Sequence, residues 1–373
     1  MLLDYHAPAE LRKVNLRPAN DDRKTLRMRL ALIPMAALAA AHCAMPLHAA
    51  GLPQLSFQHH DWELACDNTR TCRAAGYHAE DGRSRPLSVL LERKAGPGEP
   101  FVGRLRLGEA DDGVNLPATL AMQVDGRALG TVELKGDESI GSLSASQAQA
   151  LLLAVAGSGK VAWRAGGRSW SLSGKGASAV LLKMDEFQGR LGTPGAAMRK
   201  GGRPERDVLP PLPAPVVTAA SVPAGELAPP GREDERILLA TLRKTAGSED
   251  CGDLEAIATG ESKFSYAPLT QGTMLVSARC WRGAYNEGHG YWVANRKPPF
   301  SPQLVTQSGT DYDKGVIGAA HKGRGIGDCW GHDEWIWDGR RFVHTASNTT
   351  GMCRGIAPGG GWTLPTLVKE VRH

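Results

Sequence analysis

The sequence predicts an α+β protein in which most of the regular structure is β. In its first half, short apolar runs bounded by Gly, Pro or Asp-Gly pairs recur at the spacing of antiparallel strands. Residues 204–230 hold eight of the chain's 24 prolines and have almost no periodic apolar pattern, which is typical of a linker. We therefore expect a β-rich domain with two helices over residues 51–203, this Pro-rich linker, and a disulfide-bonded α+β domain with an antiparallel sheet over residues 231–373.

Residues 1–50 have the pattern of an N-terminal extension followed by a signal peptide. A polar, basic stretch precedes the apolar run Leu30–Ala41, which is too short to span a bilayer. Ala49 and Ala50 offer a cleavage site, and Met28 is an alternative initiator. Cleavage removes seven basic and four acidic residues, so the net charge falls from +5 to +2. The expected mature protein is periplasmic or secreted, has no transmembrane segment, and lacks the basic stripe that nucleic-acid binding requires.

Six of the seven cysteines lie beyond the predicted leader, and an even number in an exported chain indicates disulfides. Six cysteines allow fifteen pairings, but the Pro-rich segment separates the first two from the last four. Proximity in sequence then favours three local bridges, which are Cys66–Cys72, Cys251–Cys280 and Cys329–Cys353. A zinc site is the alternative, and it is disfavoured because the spacings are not C-x-x-C and the expected compartment is oxidising.

Strands are predicted along both halves of the chain. Near the start, Trp62 leads into a strand that ends at Cys66, where a bridge to Cys72 would join a hairpin. The other predicted strands outside the last hairpin are Leu87–Arg93, Phe101–Leu107, Ala118–Val124, Ala128–Leu134, Lys160–Arg164, Thr273–Trp281, Tyr291–Asn295, Val316–His321 and Leu364–Val371.

Three helices are predicted from periodicity and from their end signals. Ser144 is a possible N-cap for Ala145–Ala156, and Gly189 would end Ala177–Gln188. Glu233–Ala246 carries acidic residues in its first turn and basic residues in its last, which agrees with the helix dipole. This helix would open the second domain.

The stretch Gly327–Cys353 predicts a β-hairpin closed by a disulfide. Aromatic and β-branched residues fill Glu334–Trp337 and Arg340–His344. Between them lies Asp338-Gly339, a dipeptide that supplies the two positive φ angles of a type I′ turn. A two-residue turn would fix the register of the two strands.

In that register the aromatic side chains share one face of the hairpin. Trp337 would face Arg340 and Trp335 would face Phe342, because side chains alternate along each strand. The opposite face is left with Ile336 and Val343. One face could then serve the core while the other meets a ligand.

Tryptophan is concentrated in the second half, which holds six of the nine: Trp281, Trp292, Trp330, Trp335, Trp337 and Trp362. Flat aromatic faces beside an arginine suit stacking on sugar rings or anchoring a protein partner, although core packing is the alternative. The predicted binding residues are Trp330, Trp335, Trp337, Arg340 and Phe342. The expected partner is an envelope protein or a glycan.

Signals for catalysis are few. No G-x-S-x-G pentapeptide occurs, and disulfide bonding leaves no free thiol as a nucleophile. The alternative function is a hydrolase of an envelope polymer, which would use histidines and acids of residues 321–344, among them His321, His332, Asp333 and His344. Their spacing contains no compact metal motif such as H-E-x-x-H. We therefore favour a binding or interaction module over an enzyme and predict no catalytic residue, no metal and no cofactor.

Several of these residues together resemble a known family. They are Trp62, Cys66-Asp67-Asn68 with Cys72, the block Gly176–Ala196, and Gly325–Cys329 followed by Trp330. In them, and over most of residues 54–371, the chain resembles the bacterial secreted family catalogued as domain of unknown function 1176. The first half is also distantly similar to the invasion-associated locus B family of exported β-rich proteins. The resemblance implies an exported envelope protein and carries over no catalytic residue.

Overall fold

A computed structural model describes residues 53–108, 115–136, 139–225, 227–246 and 251–373. The predicted signal peptide and its cleavage site lie outside these residues. The described residues belong to one compact unit that spans 51–373. Within them the structure is mostly β, with four α-helices and several antiparallel sheets, which confirms the α+β class.

The first half forms one ten-stranded sheet with two helices. Its elements are β1 (Leu55–His59), β2 (Trp62–Cys66), β3 (Cys72–Tyr77), β4 (Leu87–Arg93), β5 (Val102–Leu107), β6 (Thr119–Val124), β7 (Arg127–Lys135), β8 (Ile140–Ser142), α1 (Ala145–Ala156), β9 (Val161–Ala165), β10 (Arg168–Leu172) and α2 (Ala177–Phe187). The strand order is β1-β2-β3-β4-β5-β8-β7-β6-β9-β10. The predicted helices and the five strands from Leu87 to Arg164 are confirmed, while β1, β8 and β10 were not predicted.

A capping box sets the start of α1. The backbone N–H of Gln147 donates to Ser144 Oγ, and the backbone N–H of Ser144 donates to Gln147 Oε1. Leu151 of α1 and Leu181 of α2 are fully buried in the same core as Trp62 from the sheet. The two helices therefore bury their apolar sides against the first sheet.

The second half contains a four-stranded and a five-stranded antiparallel sheet. Its elements are α3 (Arg232–Ala246), α4 (Glu255–Thr259), β12 (Ser265–Pro268), β13 (Thr273–Arg282), β14 (Glu287–Asn295), β15 (Gln303–Gly309), β16 (Asp311–Asp313), β17 (Val316–Lys322), β18 (Trp330–Trp337), β19 (Phe342–Thr349), β20 (Leu364–Val368) and β21 (Glu370–Arg372). The strand orders are β12-β13-β14-β15 and β16-β17-β18-β19-β20.

The two faces of the four-stranded sheet meet different partners. On one face, Leu238 and Leu242 of α3 pack with Trp292, so the amphipathic helix buries its apolar side there as its sequence predicts. On the other face, Leu275 and Tyr291 join an apolar cluster with residues of the five-stranded sheet. This second cluster joins the two sheets and positions the site described below.

The Pro-rich segment 204–230 lies along the folded chain. Its three-residue strand β11 (Val216–Thr218) pairs in parallel with β21. The backbone N–H of Leu212 donates to Thr69 O at 3.1 Å, and that of Ala220 donates to Trp337 O at 2.8 Å. The segment thus makes backbone hydrogen bonds to both halves of the chain.

Side-chain hydrogen bonds also connect the two halves. The Asn68 amide donates to Val368 O and accepts from Val368 N, so it takes the place of a neighbouring strand at the edge of β20. Glu63 Oε1 accepts from Tyr77 Oη at 2.5 Å and from the backbone N–H of Met352 at 2.7 Å. Burial raises the pKa of Glu63, although these hydrogen bonds and the charge of Arg354 oppose that rise.

The six cysteines of the described residues form three disulfides, Cys66–Cys72, Cys251–Cys280 and Cys329–Cys353. The predicted pairing is confirmed. Asp328 lies close to the third bridge, but both sulfurs there are bonded to each other and are not thiolate ligands for a metal. Among the described residues, we find no helix with the length and apolar character needed to cross a membrane.

Candidate functional site

The predicted hairpin exists, but its register differs from the prediction. Trp337 pairs with Phe342 and Trp335 with His344, so the connection is four residues long instead of two. The cause is the Asp338 side chain, whose Oδ1 accepts the backbone N–H of both residues 340 and 341 at 2.8 Å. A shift of two residues leaves side chains on their predicted face, because faces alternate with a period of two.

The aromatic residues at the turn end of the hairpin are buried. Trp337 is 1% exposed and Phe342 is 8% exposed, and they pack with Leu275 and Tyr291 of the other sheet. The prediction that Trp337 and Phe342 present an open face is therefore wrong. The four-stranded sheet covers this end of the hairpin face. Alternation along a strand predicts which side chains share a face, but it does not predict whether another sheet packs on that face. Arg340 is exposed in the turn, away from the buried rings.

Farther along the same face the surroundings become open and polar. Trp335 is half-buried and stacks on His344, with ring centroids 4.7 Å apart and planes inclined by 16°. His344 Nε2 lies 2.8 Å from Asp333 Oδ1. Ser347 stands opposite Asp333 on β19 and also bonds to its carboxylate. We call Asp333, Trp335, His344 and Ser347 the Trp335 surface.

A β-bulge brings these residues to one face. Between Glu334 and Trp335 the pairing shifts, so that Thr345 is an extra residue on β19. Thr345 is buried, and its hydroxyl donates to the Glu334 side chain at 2.9 Å. Because of this extra residue, Ser347 lies on the same face of the sheet as His344, although the two are three residues apart. No turn or glycine signal in the sequence marks this position, which is why the cluster could not be assembled from spacing alone.

The electrostatics of the Trp335 surface favour an ionised Asp333. Burial alone would raise the pKa of Asp333, but hydrogen bonds from His344 and Ser347, together with the charges of His344 and His321, outweigh burial and lower that pKa. A carboxylate bonded to Nε2 holds a proton on that nitrogen and leaves Nδ1 of a neutral His344 as an acceptor. The arrangement can therefore bind a hydrogen-bond donor or accept a proton.

Two other histidines of the predicted set occupy different positions. His321 Nε2 lies 2.7 Å from Ser308 O, and its ring lies beside Trp281, with centroids 5.2 Å apart. His332 is on the opposite face of the sheet from Asp333, where it stacks on Trp330. The structure thus brings His344 into contact with Asp333 and sets His332 apart from them.

Trp330 is half-buried at the base of the hairpin. Its indole N–H donates to Gly327 O at 2.9 Å, and Lys322 Nζ lies 5.5 Å from the ring centroid. Because Trp330 and Trp335 are on opposite faces, one flat ligand cannot stack on both. The five predicted binding residues therefore divide into a buried pair, Trp337 and Phe342, and three residues with solvent access.

A separate groove of about 1050 Å³ opens beside the inner face of the four-stranded sheet. One wall is formed by residues 221–225 and Leu227 of the Pro-rich segment, which we call the strap. Ala220 bonds to Trp337 O at one end of the strap, and the backbone N–H of Leu227 donates to Tyr266 O at 3.4 Å near the other. This segment was predicted to be a linker. Its sequence does not indicate a groove, since only the packed chain brings the strap over the sheet.

A family model described as "Protein of unknown function (DUF1176)" matches residues 56–369. A similar protein is "Uncharacterized protein YpfG" from Escherichia coli (strain K12), which is 27% identical over 311 residues. That similarity covers 76% of this chain and 84% of the E. coli protein. No solved structure matches the chain.

Proposed function

The chain belongs to the DUF1176 family of proteins of unknown function, and we propose that this member is an exported binding or interaction module of the cell envelope. The Trp335 surface is the observation that carries the proposal. It combines a partly exposed indole ring with a carboxylate, an imidazole and a hydroxyl group on one sheet face. Such a surface suits an aromatic anchor surrounded by polar contacts.

The partner in this proposal is an envelope protein or a glycan. Trp335 would contact it directly. Arg340 in the turn and Trp330 on the opposite face of the hairpin would be further contacts for a partner that extends around the hairpin. Trp337 and Phe342 would act indirectly. They belong to the buried cluster against which Trp335 packs, so they would hold the Trp335 ring in position. A rigid sheet holds these groups in place before binding, which lowers the entropic cost of association.

Retention of envelope material by the immobilised mature protein tests this role. The baits are the parent, Trp335→Ala, and Val102→Ser as a control, because Val102 is 55% exposed on β5 of the first sheet. We expect the parent and the control to retain the same protein or purified glycan, and Trp335→Ala to lose roughly tenfold or more in affinity. Equal retention by all three baits would contradict a role for the Trp335 surface.

We further propose that the protein is exported to the periplasm after cleavage beside Ala49 or Ala50. Three disulfides among the described residues support an oxidising compartment. N-terminal sequencing of the protein from a periplasmic fraction is the measurement. A sequence starting at Ala50 or Gly51 is expected, whereas an intact Met28 or a lipid on Cys43 would contradict cleavage at this site.

The second candidate function is hydrolysis of an envelope polymer, and the bond between Asp333 and His344 is the specific observation in its favour. A carboxylate that orients an imidazole is one part of a general base. Release of soluble fragments from purified cell-wall polymer is the readout. Activity in the parent that is lost in both Asp333→Asn and His344→Gln would support an enzyme, and an inactive parent would count against it.

The division into domains 51–203 and 231–373 with a linker over 204–230 stays a prediction, as does the distant likeness of the first half to the invasion-associated locus B family. Limited proteolysis tests the division. Cleavage between Arg199 and Arg236 that leaves two folded fragments would support it. A resistant segment would show that its hydrogen bonds to both halves hold it in place.

A further inference from the structure

The groove under the strap is distinct from the Trp335 surface, and hydroxyl groups are prominent in its lining. Ser265, Ser277 and Tyr291 are register neighbours on β12, β13 and β14. Adjacent strands lie about 4.8 Å apart, so the three residues form a row across the sheet. The row faces the groove because all three residues contribute to its lining.

Tyr291 is the most buried residue of this row. Tyr291 is only 4% exposed, and its ring lies over Gly309, where an added Cβ would come within 2.3 Å of the ring. Among the described residues its hydroxyl has no hydrogen-bond partner. Burial and the nearby charge of Asp311 raise the pKa of Tyr291 to about 12, so the group is a neutral donor and acceptor at neutral pH.

The two serines of the row are also available for hydrogen bonding. Ser265 is exposed and Ser277 is half-buried, and neither side chain is hydrogen-bonded within the part of the chain that the structure describes. Hydroxyl groups that face a groove and have no partner in the protein form hydrogen bonds to water or to ligand atoms. Three hydroxyl groups that are free to donate and to accept therefore favour a ligand whose own groups both donate and accept hydrogen bonds.

Charge and apolar surface narrow the class of ligand further. Asp313 and Lys314 are exposed neighbours of opposite sign at the rim, so they give no net positive field for a phosphate or a carboxylate. Pro223 of the strap and Leu275 of the sheet supply apolar surface on two sides. A ligand with hydroxyl groups at its edges and C–H faces between them fits this combination.

We propose that the groove binds a neutral polyhydroxylated ligand, a short oligosaccharide. Its volume of about 1050 Å³ is slightly above the roughly 300–1000 Å³ typical of ligand sites, so an oligosaccharide fits better than a single sugar. The Tyr291 hydroxyl would bond to the sugar together with Ser277, and the strap would cover one side of the chain of rings. This site is separate from the Trp335 surface, so either proposal can fail without the other.

Calorimetric titration of the mature protein with maltotriose, cellotriose and chitotriose at millimolar concentration tests the inference. We expect at least one trisaccharide to bind, and Tyr291→Phe to raise its Kd about fivefold, the loss of roughly one hydrogen bond. Because the hydroxyl has no partner in the free protein, Tyr291→Phe should leave the melting temperature unchanged or raise it. A residue needed only for stability would lower the melting temperature instead.

Matched variants locate the site. Ser277→Trp fills the groove and should abolish sugar binding, with a thermal melt to show that the variant is folded. Tyr285→Phe removes a tyrosine hydroxyl outside the groove, one that donates to Gly323 O, and should leave Kd unchanged. Absence of binding by all three sugars would overturn the proposal. So would binding that Tyr291→Phe and Ser277→Trp leave intact, or binding of tetraalanine in place of any sugar.

Discussion

Trp335 and Trp337 lie on the same face of one strand, yet their surroundings differ. Trp337 is 1% exposed and packs against the four-stranded sheet, whereas Trp335 lies at the margin of that contact and stacks on His344. Strand alternation assigns both rings to one face, and the neighbouring sheet decides which ring is covered. The turn end of the hairpin is thus part of the core, and only the part beyond it can meet a partner.

The two ends are also stabilised by different interactions. Apolar packing surrounds Trp337 and Phe342 near the turn. The base of the hairpin is closed by the Cys329–Cys353 disulfide, and the indole N–H of Trp330 bonds to Gly327 O there. Different mutations remove the apolar packing and the disulfide, so the contribution of each to stability can be measured separately.

The largest effect is expected for Trp337→Ala, which should lower the free energy of unfolding by about 3–5 kcal/mol, the cost of deleting a buried aromatic side chain. Urea denaturation measures it. Trp337→Phe is the matched control and should cost less, since it keeps an aromatic ring and the indole N–H has no hydrogen-bond partner among the described residues. A Trp337→Ala variant as stable as the parent would show that the ring is not in the core.

Removing the disulfide at the base comes next. Replacing Cys329 and Cys353 together by serine should lower the free energy of unfolding by about 3 kcal/mol, because the bridge closes a loop with a sequence separation of 24 residues. The double replacement of Cys66 and Cys72, with a separation of six, should cost less on the same entropic argument. Denaturant midpoints compare the two variants, and a larger loss for the shorter loop would contradict the argument.

A smaller loss, about 1 kcal/mol, is expected for Trp335→Ala, since this ring is half-buried and its stacking on His344 contributes of the order of an aromatic pair. The same urea series as for Trp337 gives the comparison. If Trp335→Ala lowered the free energy of unfolding as much as Trp337→Ala, Trp335 would be part of the buried core. The Trp335 surface could then not be a contact site.

The smallest effect concerns pH. The folded state lowers the pKa of Asp333, so its contribution to stability is present above the unfolded value of about 3.9 and is lost as pH falls through the folded value. The side chain is 37% exposed, so the contribution is about 0.5 kcal/mol. Unfolding free energies of the parent and Asp333→Asn should differ by this amount at pH 5 and converge toward pH 2, while a difference independent of pH would contradict it.

Local features of the sequence account for the elements that were predicted well. Ser144 and Gln147 form a capping box within one helical turn, and the charge pattern of Glu233–Ala246 matches its helix, so neighbouring residues suffice to place α1 and α3. The three disulfides follow from proximity along the chain in the same way. Strand β15 was not predicted because Gln303–Gly309 is mostly polar, and its two apolar residues, Leu304 and Val305, are adjacent and do not alternate with polar ones.

The residues of the candidate sites depended on longer-range contacts. The Asp338 side chain lengthened the turn by two residues, and the bulge at Thr345 moved Ser347 beside Asp333. Tyr291 lies 26 residues from Ser265 in sequence and is brought near it only by the register of three strands. The spacing of residues within any one segment therefore does not predict these contacts between strands.

By itself the sequence determined the α+β class, three of the four helices of the described residues, most strands, the disulfide pairs and the face to which each hairpin side chain belongs, because these follow from periods, caps and short loops. The tertiary structure alone decided that Trp337 is buried, that His344 meets Asp333, and that the Pro-rich segment covers a hydroxyl-lined groove. Burial depends on which sheet packs against which, and that choice is made by apolar surfaces far apart in the chain.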